Sequence, residues 1–346
     1  MRVRVKARDR EFEFEARAGE RILHAGLRAG YQLPYECATG TCGKCKAGIA
    51  DGRVEDAWPE APGRRFIEPG QPQVLMCQCS ALGELDIDVP KPVPSTGAGE
   101  PIATMFDGVL KDPRALAHGV LGFSVELNQS CSFHAGQFML LRPAGVSGYR
   151  AYSMCNYADA RRLDFVIKQK RMGRFSEWLF GTDRAGEALQ LFGPLGKATF
   201  DPSLSRNILC IAGGSGIAGM MSILACADAA RHFEHHQGWV FFGVRTLADS
   251  FFLSELSKLA VRWGGRLTVT VALSDEAVPA SAVAVWPELL FEHGLVHEVA
   301  RRAMSGRYAN LRAYVAGPPP AVESAMRVLL AEGKLRPGDI CYDKFN

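Results

Sequence analysis

Four cysteines lie in the order Cys37, Cys42, Cys45 and Cys77, the spacing C-x4-C-x2-C followed by a gap of 31 residues and a fourth thiol. That is the plant-type ligand set of a 2Fe–2S cluster, a group that gains and loses one electron at a time. Three thiolates within nine residues converge on two irons only if the backbone curls tightly and turns its N–H groups toward the sulfurs. Gly40 and Gly43 stand where such a curl needs residues without a Cβ. The run LMCQC leaves the fourth ligand open between Cys77 and Cys79. A four-cysteine zinc site competes, but its second knuckle would be Cys77-Gln78-Cys79, too close to chelate comfortably. Disulfides are disfavoured, because the first residues alternate like a strand instead of showing a charged end and an apolar core.

The stretch PYECATGTCGKCKAG closely resembles the ferredoxin module of bacterial aromatic-oxygenase reductases, whose motif C-x-x-G-x-C-G-x-C it matches at every position. The resemblance favours Cys77 over Cys79 as the fourth ligand. It extends over essentially the whole chain and is nearest to reductases of toluene-type monooxygenases, through WPEAPG at 58–63 and the CQC pair; reductases of ring-hydroxylating dioxygenases are nearly as similar.

Two further segments resemble the flavin motifs of ferredoxin-NADP reductase-like domains. In RAYSMCN, Arg150 offers a fork of donors to a pyrophosphate, Tyr152 an aromatic face to the isoalloxazine ring, and Ser153 a hydroxyl to the ring nitrogen that receives a hydride. In GRFS, Gly173 and Ser176 match a G-x-x-S turn, which brings backbone to the phosphates at a helix N-terminus. GQF at 136–138 and FGPLG at 192–196 are further landmarks in the expected order. Read singly, these are strand-edge pairs and ordinary turn glycines; together they are much more specific. The choice of FAD as the flavin is implied by the resemblance alone.

For the nicotinamide nucleotide, ILCIAGGSGIAG runs a strand through Gly214 and Gly216 into a helix, a G-x-G-x-x-G pattern that lets a pyrophosphate approach backbone. The acidic residue about 20 positions on that a true dinucleotide fold carries is missing, and the resemblance explains this, since the reductases use a related but distinct nucleotide domain. Gly219 stands where that family usually has proline. Gly243, Arg245 and Thr246 close the next strand near the expected adenosine ribose. An arginine there suits a 2′-phosphate, yet family members with G-x-R are mostly NADH enzymes, so NADH is expected; the plain alternative is a solvated arginine. YVAGPPP resembles the family's C-G-P-P wall beside the nicotinamide: Gly317 and Pro318 are kept, and Ala316 replaces the cysteine. Phe345, in the aromatic C-terminus, is expected to cover the flavin face.

His232, His235 and His236 cluster in RHFEHH, with His232 and His236 on one face of an expected helix; a polar helix end is favoured over a metal site. No Rieske C-x-H pair, H-E-x-x-H helix or G-x-S-x-G elbow is present, which places oxygen activation on another protein.

These sites require three supports. The chain of 346 residues is 47% hydrophobic and 22% charged with a net charge of +3, long enough for two or three domains, too balanced for nucleic acid, and without an apolar run near the ~18 residues of a membrane span. A cytoplasmic protein follows. Short strands around a helix at 20–30 form a ferredoxin (β-grasp) domain over 1–90, and VPKPVPSTGAGEP marks a linker over 91–101. Strand-length runs with one helix at 174–181 predict an antiparallel FAD barrel over 102–202. Strands alternating with helices, at 218–236 and 321–333 among others, predict a parallel-sheet α/β NAD domain over 203–346. The expected function is an NADH-dependent reductase that passes electrons through FAD and the 2Fe–2S cluster to the terminal oxygenase component of an aromatic-compound mono- or dioxygenase, directly or by way of a separate Rieske ferredoxin. The alternative is a non-catalytic redox sensor or carrier.

Overall fold

The opening alternation becomes β1 (Arg2–Ala7), where Val3 and Val5 point inward and Arg2, Arg4 and Lys6 face solvent, in a computed structural model that describes residues 1–157 and 160–344. With β2 (Glu11–Glu15), β3 (Lys46–Asp56), β4 (Gln73–Leu75) and β5 (Cys79–Val89) it forms a five-stranded sheet of order β2-β1-β5-β3-β4. β1 and β5 run parallel and the other pairs antiparallel. One helix, α1 (Ile22–Arg28), is buried along almost its whole length against this sheet. The loop between α1 and β3 carries Cys37, Cys42 and Cys45, and the turn between β4 and β5 carries Cys77.

A second sheet has the order β10-β7-β6-β11-β8-β9, built from β6 (Thr104–Ala117), β7 (Val120–Leu127), β8 (Phe138–Pro143), β9 (Arg150–Ser153), β10 (Arg162–Lys168) and β11 (Ala188–Leu195). An antiparallel bridge between Met154 and Phe165 links the two outermost strands, so the sheet curls into a nearly closed barrel. Its one helix, α2 (Arg174–Gly181), coincides with the helix expected at 174–181.

The third sheet is wholly parallel: β15-β14-β13-β12-β16-β17. Its strands β12 (Asn207–Gly213), β13 (Gly238–Val244), β14 (Leu267–Leu273), β15 (Leu290–His293), β16 (Leu311–Gly317) and β17 (Ile340–Lys344) alternate with α3 (Ile217–Ala229), α4 (Leu253–Trp263), α5 (Ala280–Val285), α6 (Val296–Ala303) and α7 (Pro319–Ala331). The central strands are mostly apolar and mostly buried, as strands covered on both faces must be. Arg206, just before β12, reaches Asp339, just before β17, at 2.7 Å, and Arg336 lies 2.9 Å from the other carboxylate oxygen. The hydrogen bond from Arg206, then that from Arg336, lowers the Asp339 carboxyl to about 2.

One expected helix is shorter than the sequence suggests. The helix read over 218–236 ends at Ala229, because Arg231 turns left-handed at φ 53° and His232–Glu234 form a separate short turn. His232 therefore does not sit on a polar helix end. It is buried edge-on to Phe200 and 4.6 Å from the ring of His236, and burial, then His236, lowers its imidazole to about 4.

The chain packs as two compact units, one made of Met1–Asp107, Met139–Ala151 and Gln190–Leu195 and the other of the remaining residues.

Candidate functional site

In the first unit, the cysteine loop is shaped by Gly40 and Gly43, at φ +87° and +71°, a region that side-chain-bearing residues rarely enter. The curl turns backbone donors to sulfur. The N–H groups of Cys37 and Lys44 each lie 3.5 Å from Cys42 Sγ, and that of Thr39 lies 3.4 Å from Cys37 Sγ. The sulfurs form two pairs. Cys37 and Cys42 share a hydrogen bond, and Cys45 Sγ approaches Cys77 Sγ to 3.2 Å. Among the described residues no three His, Cys, Asp or Glu side chains gather where one metal ion could sit. Two pairs suit a binuclear cluster, in which each iron takes two cysteines, better than one tetrahedral zinc. The contact with Cys37 and then burial raise the Cys42 thiol, and the contact with Cys77 and then burial raise that of Cys45. Four thiolates so close together require the positive charge that iron supplies.

Cys79 is fully buried as the first residue of β5, opposite Asp56, and burial pushes its thiol up to about 11. It packs beside the cysteine loop without joining either pair. Sequence reasoning missed the residues that brace this loop. The N–H of Gly63 donates to the carbonyl of Gly40 at 2.8 Å, Gln78 Nε2 lies 3.4 Å from Cys77 Sγ, and Arg64 pairs with Asp56. Only WPEAPG, which ends at Gly63, carried any signal of them.

β9 carries the expected flavin residues. Arg150 is half-buried and donates to the Tyr149 carbonyl at 2.8 Å. In the second unit, the Tyr152 ring lies 5.1 Å from that of Phe175, in the first turn of α2, and Ser153 is buried. The Ser176 hydroxyl donates back to the Lys170 carbonyl at 2.7 Å and accepts from the Lys170 N–H at 3.1 Å. It is thereby committed to the turn before α2, and Gly173 is needed because a Cβ there would come within 2.9 Å of that hydroxyl.

The residues expected to seat a nucleotide converge at the carboxyl ends of β12 and β16, the edge where open parallel sheets receive ligands. A Cβ on Gly216 would fall 2.4 Å from the Ala316 carbonyl oxygen, so only glycine lets the loop after β12 touch the end of β16. Gly317 and Pro318 lie against Gly213, and Ala316 is buried. A Cβ on Gly219, in the first turn of α3, would lie 3.4 Å from Ser153 Cβ and Oγ. Ser153 is thus in contact range of the helix that follows the nucleotide loop. Arg245, at the end of β13, is exposed and 3.8 Å from Asp249, which with Thr246 forms a capping box. Phe345 lies outside the described residues.

A nearly closed barrel with flavin motifs, a parallel sheet with a glycine-lined edge and a loop of paired cysteines define an iron–sulfur flavoprotein oxidoreductase. Family models for a 2Fe-2S iron-sulfur cluster binding domain match residues 5–82, for an oxidoreductase FAD-binding domain residues 107–200, and for an oxidoreductase NAD-binding domain residues 210–327. The ferredoxin–NAD(P)+ reductase CarAd of Metapseudomonas resinovorans is 34% identical over 95% of both chains. The xylene/toluene monooxygenase electron transfer component XylA of Pseudomonas putida is 30% identical, over 96% of this chain and 91% of its own. The solved ferredoxin reductase in carbazole 1,9a-dioxygenase superposes with a TM-score of 0.83 at 29% identity, over 100% of this chain and 99% of its own. The chain belongs to the family of three-domain ferredoxin–NAD(P)+ reductases that serve as electron-transfer components of oxygenase systems. Its flavin and nicotinamide domains make it a catalyst of electron transfer, and nothing in these likenesses supports the alternative of a non-catalytic sensor.

Proposed function

We propose that this chain is the NADH-dependent reductase of a cytoplasmic multicomponent oxygenase acting on aromatic compounds. When bound, FAD takes up the two electrons of a hydride and gives them up singly, and the 2Fe–2S cluster carries one at a time. The chain's own residues divide the work. Gly214, Gly216, Gly317 and Pro318 seat the dinucleotide; Arg150, Tyr152, Gly173 and Ser176 seat FAD; Ser153 orients the ring for hydride arrival. Cys37, Cys42, Cys45 and Cys77 would hold the 2Fe–2S cluster, one sulfur pair on either side. The carboxylate of Asp249 beside Arg245 disfavours a 2′-phosphate, which supports NADH over NADPH. The outgoing electron goes to the terminal oxygenase component, directly or through a separate Rieske ferredoxin. No helix among the described residues is long and apolar enough to cross a membrane.

The observation that carries this reading is the contact range between Ser153 and the first turn of α3, which sets the residue assigned to orienting the flavin ring beside the helix that follows the glycine loop. The test is addition of NADH, and separately NADPH, to purified holoprotein, followed by EPR. NADH should develop the signal of a reduced 2Fe–2S centre and drive cytochrome c reduction, with no hydroxylated product from an aromatic compound added to this chain alone. Zinc in place of iron, or product formation by this chain alone, would overturn it.

A further inference from the structure

α1 presents a residue that the scheme above does not use. His24 is 3% exposed, and its Nε2 has no hydrogen-bond partner, an arrangement that ordinarily destabilises a fold. Its ring stacks on Phe192 of β11 at 4.0 Å and 13°, and stands edge-on to Tyr149 at 5.3 Å and 73°. The guanidinium of Arg142 also lies over the Tyr149 ring, 4.8 Å from its centre. All of these residues belong to the first compact unit. Burial, then the nearby Arg21, lowers the imidazole to about 3, so the ring is neutral at working pH and brings no charge of its own.

Two ends of this contact matter. Tyr149 directly precedes Arg150, the residue assigned to the flavin pyrophosphate. His24 directly follows Leu23, whose N–H donates to the Met76 carbonyl at 3.0 Å, and Met76 directly precedes Cys77. Leu23, Met76, Cys77 and Phe192 are each no more than 3% exposed, so the series is dry and closely packed. Electron tunnelling decays least along covalent bonds, more across a hydrogen bond and most across an empty gap. From Tyr149 to the ligand Cys77 only two non-covalent steps intervene: the aromatic contact Tyr149–His24 and the hydrogen bond Leu23–Met76.

We propose that His24 is a positioning residue for internal electron transfer, its stacked ring carrying the coupling between the flavin strand β9 and the cluster ligand Cys77. The step is one electron lost by reduced FAD and one gained by the oxidised cluster, with no bond made or broken. The inference rests on the proposed function above. An aliphatic side chain at this position would leave a packing gap, whereas a phenyl ring would keep the stack and remove the unpaired nitrogen.

The test is stopped-flow mixing of holoprotein with NADH, following flavin bleaching and cluster reduction separately in wild type, His24→Leu and His24→Phe, with midpoint potentials and melting temperatures measured alongside. His24→Leu should slow cluster reduction roughly tenfold, as a small misplacement of reacting groups does, with flavin reduction and both potentials unchanged. His24→Phe should stay near the wild-type rate and melt no lower than wild type. A wild-type rate in His24→Leu, equal slowing in both variants, or slowing accompanied by a shift in potential would overturn the proposal. Failure of NADH to reduce the cluster in the unaltered protein would instead strike the functional reading beneath it.

Discussion

Cys42 and Cys79 are chemically alike and only the first belongs to a sulfur pair, so serine at each should behave oppositely. Cys42→Ser should abolish the cluster's absorbance and EPR signal while FAD stays bound. Cys79→Ser should retain both, at the cost of about 1–3 kcal/mol of stability for a buried hydroxyl without a partner. Loss of iron from Cys79→Ser would move the fourth-ligand role to that residue. The Ser153 hydroxyl is the other sharp case: Ser153→Ala should slow flavin reduction by NADH about ten- to a hundredfold, the penalty of a misplaced reacting centre. FAD content should barely change, and stopped-flow absorbance with cofactor quantitation reads both. The cysteine spacing was legible because three of the four thiols crowd into one nine-residue loop, a density that few other chemistries ask for. His24 was not, since a single histidine in a short helix carries no pattern; its meaning depends on Tyr149 and Phe192, more than a hundred residues away.

At the scale of elements, strand and helix periodicity gave the three sheets and placed α2 at its true bounds. It overran α3, because nothing in the local pattern announces the left-handed turn at Arg231. β15 and β17 are short edge strands with few buried residues, which leaves little alternation to read. The ion pair between Arg206 and Asp339 ties one such strand to the sheet and gives a pH test. The folded-state carboxyl is depressed to about 2 from an ordinary 3.8, so its contribution is present above pH ~4 and disappears as the pH falls through 2. Asp339→Asn should therefore lower the melting temperature at neutral pH, and the gap from wild type should close as the pH approaches 2. A constant gap across that range would show that packing, rather than charge, holds β17.

For the whole molecule, function requires an electron to leave through a surface that another protein can reach. Lys44 is exposed in the cysteine loop, while Lys46 is tied to the Phe66 carbonyl at 3.1 Å. Lys44→Glu should therefore weaken delivery to an acidic one-electron acceptor such as cytochrome b5, most at low ionic strength, and leave ferricyanide reduction, which draws on the flavin, nearly unchanged. Equal loss with both acceptors would mean that the substitution had damaged the cluster. The bridge between Met154 and Phe165 has a consequence of another kind. By joining its outermost strands it leaves the flavin sheet almost no open rim onto which a neighbouring polypeptide could add a strand. At the rim of the first sheet, β2 sets Glu11, Glu13 and Glu15 in a row toward solvent, where like charges repel an incoming copy. Crowded copies of this chain are thereby guarded against fibrous self-association at both places, even though the sheets are built from strongly strand-forming sequences.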